Sequence, residues 1–192
     1  GVGAVIELIR SGDVIPHIQS VITPAESAQM PLEPYVWNPT HVDVMLEDAA
    51  ANEIVREKNI LVFFRTLDVD GIGAGNVKRL VDAGFDTVPK ILALQKEDFL
   101  KAEGFKGKLA QKVWAGIKEA TDGASLPALM QASNVFGRGL GQRKFKPILD
   151  AFPNVLTSSA SPAEKMKMVG TVKGMGPQNV DGFVDSIPKF VE

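Results

Sequence analysis

A chain of 192 residues that is 45% hydrophobic has ample material for one good-sized folded domain or two small ones, and none of its apolar runs approaches the roughly 18 residues that cross a bilayer. It contains no cysteine, which excludes disulfides and thiolate zinc sites, and its two histidines, His17 and His41, are too few to build a metal site, so no metal is expected. The net charge of −2 argues against a nucleic-acid partner only as a sum: residues 1–54 hold one Lys/Arg against eight Asp/Glu, residues 55–150 sixteen against eleven, and residues 151–192 four against four.

The first residue is Gly1 rather than Met, within strand-like sequence, which reads as a fragment of a longer polypeptide or a processed chain. The default expectation is a soluble, cytoplasmic monomer without a membrane partner. Two strands are predicted around Gly12, from Val5-Ile6-Glu7-Leu8-Ile9 and from Val14-Ile15-Pro16-His17-Ile18, because β-branched residues cluster there. Thr23 to Pro39 carries Pro24, Pro31, Pro34 and Pro39 and reads as a connector, with a short hairpin near Tyr35-Val36-Trp37. From Leu46 onward the texture is helical, with Ile54, Val55, Ile60, Leu61, Phe63 and Phe64 on an apolar face. Trp37 and Trp114 are expected in the core.

A repeat dominates the helical part. Gly71-Ile72-Gly73, Gly104-Phe105-Lys106-Gly107, Gly139-Leu140-Gly141 and Gly174-Met175-Gly176 start 33, 35 and 35 residues apart. Each is followed by a helical segment (Asn76 to Ala83, Lys108 to Ala120, Gln142 to Ala151, Gln178 to Ser186) and preceded by a shorter one, so the unit is helix, tight turn, helix. Two glycines around an apolar anchor allow positive φ and leave no Cβ in the way of a ligand. The amides of such a turn and of the helix it opens form a small anion nest at the positive end of the helix dipole, which suits a DNA phosphate.

The candidate contacts are therefore Gly71, Gly73, Gly75, Asn76 and Lys78; Gly104, Lys106, Gly107 and Lys108; Gly139, Gly141, Gln142, Arg143 and Lys144; and Gly174, Gly176, Gln178 and Asn179. Amides meet phosphates and not base edges, so binding to duplex DNA is expected to ignore sequence. Other readings stand beside this one. Gly-x-Gly before a helix also serves packing alone, and the basic middle is also an ordinary solvated surface. The period resembles tetratricopeptide or ankyrin spacing, without their signature residues. Gly71-Ile72-Gly73-Ala74-Gly75 follows no buried strand and misplaces the third glycine of a dinucleotide fingerprint. Asp68-Val69-Asp70-Gly71 lacks the later glutamate of a calcium loop.

These residues carry a resemblance to the C-terminal half of bacterial-type or phage NAD-dependent DNA ligases. Arg10-Ser11-Gly12-Asp13-Val14-Ile15-Pro16 resembles the Arg-Ala-Gly-Asp-Val-Ile-Pro signature near the end of that family's OB-fold. Glu103-Gly104-Phe105 with Lys108-Leu109-Ala110 resembles its second hairpin repeat, and Gly174-Met175-Gly176-Pro177 its fourth. The resemblance implies an enzyme that seals nicked double-stranded DNA, with an N-terminal adenylation domain, in cis or as a separate subunit, that reacts with NAD. It also implies that Arg10 and Asp13 lie near the DNA or the adenylation domain on closure, and a location at the nucleoid or, for a phage form, in the host cytoplasm.

The sequence departs from the family in three ways. No Lys-x-Asp-Gly nucleophile occurs, since Asp68 stands where the lysine before Asp70 would be, so no catalytic residue and no cofactor are assigned here. The family's four-cysteine zinc module is replaced by Tyr35 to Asp48, with an apolar or hairpin substitute expected around Trp37. The third hairpin carries an extra glycine in Phe136-Gly137-Arg138-Gly139. The expected fold is mostly α, with four paired helix-hairpin-helix repeats and a small N-terminal β remnant of an OB-fold. Its divisions are 1–24 for the OB-fold end, 25–48 for the connector and 49–192 for the hairpin domain, with hairpins near 71–75, 104–108, 139–143 and 174–178. The rival classes are an OB-fold scaffold of the Holliday-junction type, a hairpin glycosylase and a helical protein-interaction domain.

Overall fold

The computed structural model describes residues 1–12 and 14–192, which form two compact units, residues 1–49 and residues 50–192. The first unit is β and the second is helical, so the chain is mostly α with a small β part at its N-terminus. No helix among the described residues is long and apolar enough to cross a membrane.

In the first unit, β1 (Val5–Ser11) and β2 (Ile15–Thr23) pair antiparallel, from Val5 opposite Thr23 to Ser11 opposite Ile15, with irregularities after Val5 and after Glu7. Both strands form where β-branched residues cluster. Every residue of β2 is exposed, and so are Ile6, Leu8 and Ile9 of β1, because a two-stranded ribbon has no second layer on which to bury its faces.

A second hairpin, β3 (Tyr35–Trp37) with β4 (Val44–Leu46), lies where a short hairpin is expected from the sequence. Its loop is gathered by Asn38, whose Oδ1 accepts from Thr40 Oγ1 at 3.0 Å, the Val42 amide at 3.0 Å and the Asp43 amide at 3.2 Å. Two expectations fail here. Trp37 is 43% exposed, stacked on His41 at 5.8 Å and edge-on to Tyr35 at 6.4 Å, since two three-residue strands enclose no core. Helical structure does not begin at Leu46, which closes β4; it begins at Glu53.

The second unit holds eight helices: α1 (Glu53–Thr66), α2 (Ala74–Asp82), α3 (Val88–Leu92), α4 (Gly107–Gly123), α5 (Leu126–Ala132), α6 (Gln142–Ala151), α7 (Pro162–Gly170) and α8 (Pro177–Val191). A 3-10 turn at Asp98–Lys101 precedes α4. Helix faces follow the 3.6 period: Val77, Leu80 and Val81 are buried on α2, Ala110, Val113 and Ile117 on α4, and Val180, Phe183, Val184 and Ile187 on α8. These faces build two cores. Ile60, Phe64, Leu80, Phe99 and Val113 belong to one, and Phe136, Phe145, Ile148, Phe183 and Ile187 to the other.

Of the helices that open away from the glycine turns, α1, α3 and α7 carry conventional side-chain caps, while Ser125 at α5 makes no cap hydrogen bond. Asn52 accepts from the Val55 amide at α1, Thr87 from the Lys90 amide at α3, and Ser161 makes a full capping box with Glu164 at α7, just before Pro162. Hydrogen bonds from the Ser161 hydroxyl and amide hold the Glu164 carboxyl below its ordinary value. The folded value lies below the unfolded one, so this cap's contribution is complete above the ordinary carboxylate range and is lost as pH falls through the folded value. Ser161→Ala is expected to cost about 1 kcal/mol. A thermal melt at neutral pH should fall by about 3 °C, and an unchanged midpoint would show that the box contributes nothing.

Candidate nucleic-acid interface

The four glycine turns share one backbone geometry. Gly71, Gly104, Gly139 and Gly174 take φ of 84°, 80°, 80° and 89°, the left-handed region that a side chain makes costly. An apolar residue follows each: Ile72 and Phe105 are buried, Leu140 and Met175 half-buried. The next residue is extended and caps a helix: Gly73 at φ −94°, Lys106 at −108°, Gly141 at −154° and Gly176 at −81°. The expectation that both glycines of a pair exploit positive φ is thus corrected, because only the first does. The second offers empty space instead, and a Cβ added at Gly73 or Gly176 would meet nothing within 4 Å. In the second turn Lys106 takes the cap and Gly107 becomes the first helical residue.

None of these four caps provides a side-chain acceptor, in contrast to Asn52, Thr87 and Ser161. The first amides of α2, α4 and α8 therefore lack the partner that an Asn, Ser or Thr cap would supply, at the positive end of each helix. The third turn differs. The Gln142 amide donates to Gln131 Oε1 at 3.0 Å, and Gly137 adds a second left-handed residue at φ 74°. Arg143 and Lys144 line an open hollow here with Gln131, Gly139 and Gly141.

Several expected contact side chains serve the fold. Asn76 Nδ2 donates to the Gly71 carbonyl at 2.8 Å, and its Oδ1 accepts from Arg79 Nη1 at 3.1 Å, bracing the first turn. Lys78 lies 3.0 Å from Asp82 and 3.8 Å from both Glu53 and Glu57, and the Asp82 carboxylate raises its pKa. Asn179 is half-buried, with Oδ1 at 3.5 Å from the place of a Cβ on Gly139. Gly75, Lys106, Lys108, Arg143 and Gln178 are exposed, and Lys106, Lys108 and Arg143 form no ion pair among the described residues. Arg10 is exposed near the end of β1, opposite Pro16; Asp13 lies outside the described residues.

The turns pack in reciprocal fashion, which the repeat alone did not reveal. Six residues after the first cap, Arg79 brings its guanidinium carbon to 3.1 Å from the place of a Cβ on Gly104. Six residues after the second cap, Lys112 ion-pairs with Asp70 at 2.7 Å, beside Gly71, and holds the Asp70 carboxyl below its ordinary value. At the same place after the fourth cap, Leu140 Cδ1 lies 3.9 Å from the place of a Cβ on Gly182. Aligning the repeats on their caps, rather than reading only the first residues after each turn, would have exposed Arg79 and Lys112. Arg138 and Lys173, each just before a left-handed glycine, were likewise missed.

The SAM-like helix-hairpin-helix tandem family matches residues 63–119, the first two turns. The backbone of the third and fourth turns repeats that of the matched pair. Beyond this match, the chain is 39% identical over 192 residues to a DNA ligase of Acanthamoeba polyphaga mimivirus, with 99% of the chain and 30% of that protein covered. The chain is homologous to the C-terminal part of DNA ligases. A DNA ligase of Nitratiruptor sp. is 28% identical over 206 aligned residues, covering 100% of the chain and 29% of that protein. A DNA ligase of Desulfatibacillum aliphaticivorans is 39% identical over 110 residues, covering 54% of the chain. The chain thus spans under a third of the length of the first two ligases, and its homology to them takes in the β unit as well as the hairpins.

Proposed function

We propose that this chain grips duplex DNA by its backbone phosphates, without reading sequence, as the non-catalytic C-terminal region of an NAD-dependent DNA ligase that seals nicks. The observation that carries the reading is the fourfold geometry of a left-handed glycine, an apolar anchor and a helix whose cap residue offers no side-chain acceptor; at α2, α4 and α8 this leaves amide donors for an oxyanion, while Gln131 takes the Gln142 amide at the third turn. The exposed apolar faces of β1 and β2 fit the end of an OB-fold whose other strands would cover them. Adenylyl transfer from NAD is assigned to an N-terminal adenylation domain, in cis or as a separate subunit. The residues here do not fit that role: Asp68, not lysine, stands two positions before Asp70, and Asp70 is paired to Lys112.

The test is binding to a nicked duplex across a salt series. With about four phosphates neutralised the logarithmic slope is expected near −3.6, shallower where amides replace charge. Gly73→Val and Gly176→Val fill the open space over two helix starts, and each should lower affinity roughly tenfold, the worth of a charge-assisted hydrogen bond. Full affinity in the double variant, with the fold retained, would overturn the phosphate assignment.

A further inference from the structure

The four turns have the same backbone but not the same charge. Take the twelve residues from five before each cap to six after it. The first turn balances Lys78 and Arg79 against Asp68 and Asp70, and the fourth balances Lys173 against Asp181, so both are neutral. The second sets Lys101, Lys106, Lys108 and Lys112 against Glu103, with Lys101 held by Asp98 at 2.8 Å just outside this span. The third has Arg138, Arg143, Lys144 and Lys146 with no acid at all.

Packing sharpens the contrast. The Lys112–Asp70 pair at 2.7 Å neutralises the acid at the tip of the first turn, while Arg79 crosses to Gly104 and adds its cation to the second. The cap positions differ as well. The neutral turns have open caps at Gly73 and Gly176, and a Cβ at Gly174 would also meet nothing. In the basic turns Gln131 occupies the Gln142 amide at the third, and the second carries a lysine side chain at its cap in place of glycine, although the first amides of α4 have no side-chain acceptor.

We infer that the grip is divided: the second and third turns hold phosphate by cationic side chains, Lys106 and Lys108 with Arg143 and Lys144, and the first and fourth hold it by main-chain amides. This rests on the phosphate reading proposed above and goes beyond it by assigning each turn its own chemistry. Each reciprocal pair then contains one ionic and one neutral contact. Ionic contacts release counterions and amide contacts do so far less, so the two kinds separate in a salt series.

The experiment measures duplex affinity from low to physiological salt for the whole chain and three variants, each first shown by its melt to fold. Lys106→Gln/Lys108→Gln and Arg143→Gln/Lys144→Gln are each expected to make the logarithmic salt slope shallower by about 1.8, because each removes two cations that neutralise phosphate. Gly73→Val/Gly176→Val is expected to weaken binding at every salt concentration while the slope stays within about 0.5 of the parent's. Gly73→Ala/Gly176→Ala, a milder change at the same open positions, replaces it if the valines impair folding. Parent binding with a slope that all variants share, or that only the glycine variants alter, overturns the division and leaves the phosphate reading standing. A parent chain that binds no duplex overturns both.

Discussion

Phe183→Ala is expected to cost about 4 kcal/mol and to loosen the third and fourth turns selectively. The side chain is fully buried on α8, with ring centroids 5.4 Å from Phe136 and 6.1 Å from Phe145, and Phe145 lies 4.9 Å from Phe136. Truncation removes one member of this mutually packed trio of rings and leaves a cavity that the neighbouring rings fill only in part. None of these rings belongs to the core of the first two turns. Amide hydrogen exchange is the measurement: protection should fall most on α6 and α8 and least on α2 and α4. Equal loss across both cores would show that the helical unit behaves as one packed body with no internal division.

The second large effect is expected at Gly71. A valine there takes on the left-handed backbone at φ 84°, which costs an L-residue roughly 1–2 kcal/mol and a β-branched one more. Its Cβ would also stand 3.0 Å from Val113 Cγ2, in the middle of α4, and overpacking adds roughly 1–3 kcal/mol. A total of about 3 kcal/mol follows. Gly174→Val serves as the internal control, because its φ of 89° is equally strained while a Cβ there meets nothing within 4 Å. Denaturant midpoints for the two variants should therefore differ by the packing part alone. Equal losses would mean that Val113 yields freely and that the first turn is not wedged against α4.

The repeat is legible in the sequence because a left-handed residue tolerates little besides glycine, so the geometry of the turn is written as a recurring letter. Which glycine carries the strain is not legible. In Gly-x-Gly the two positions look alike, and only Gly104-Phe105-Lys106, where lysine occupies the second, hints that the first is the constrained one. Helix faces are readable from apolar spacing, as on α8. Trp37 misleads because large aromatics are usually enclosed, whereas a ribbon of two three-residue strands has nothing to enclose it. Strand β4 is hard to separate from the helical region that follows, because the three apolar residues Val44–Leu46 have no detectable period. Among the candidate contacts, Asn76 and Lys78 stand at suitable positions in the chain, but their partners, the Gly71 carbonyl and the Glu53, Glu57 and Asp82 carboxylates, follow from the turn of the helix and the packing of α1 on α2.

Helix α5 is seven residues long and packs on both α1 and α6, with Ala132 in one core and Met130 in the other. A segment anchored on two sides over so short a length works as a ruler. Packed against both helices, it resists a change in the distance and twist between the two hairpin pairs. On the proposed reading, a double helix grasped by both pairs has to adopt the curvature this spacing dictates, so stiff or wrongly bent stretches would be held less firmly than pliable ones, whatever their bases.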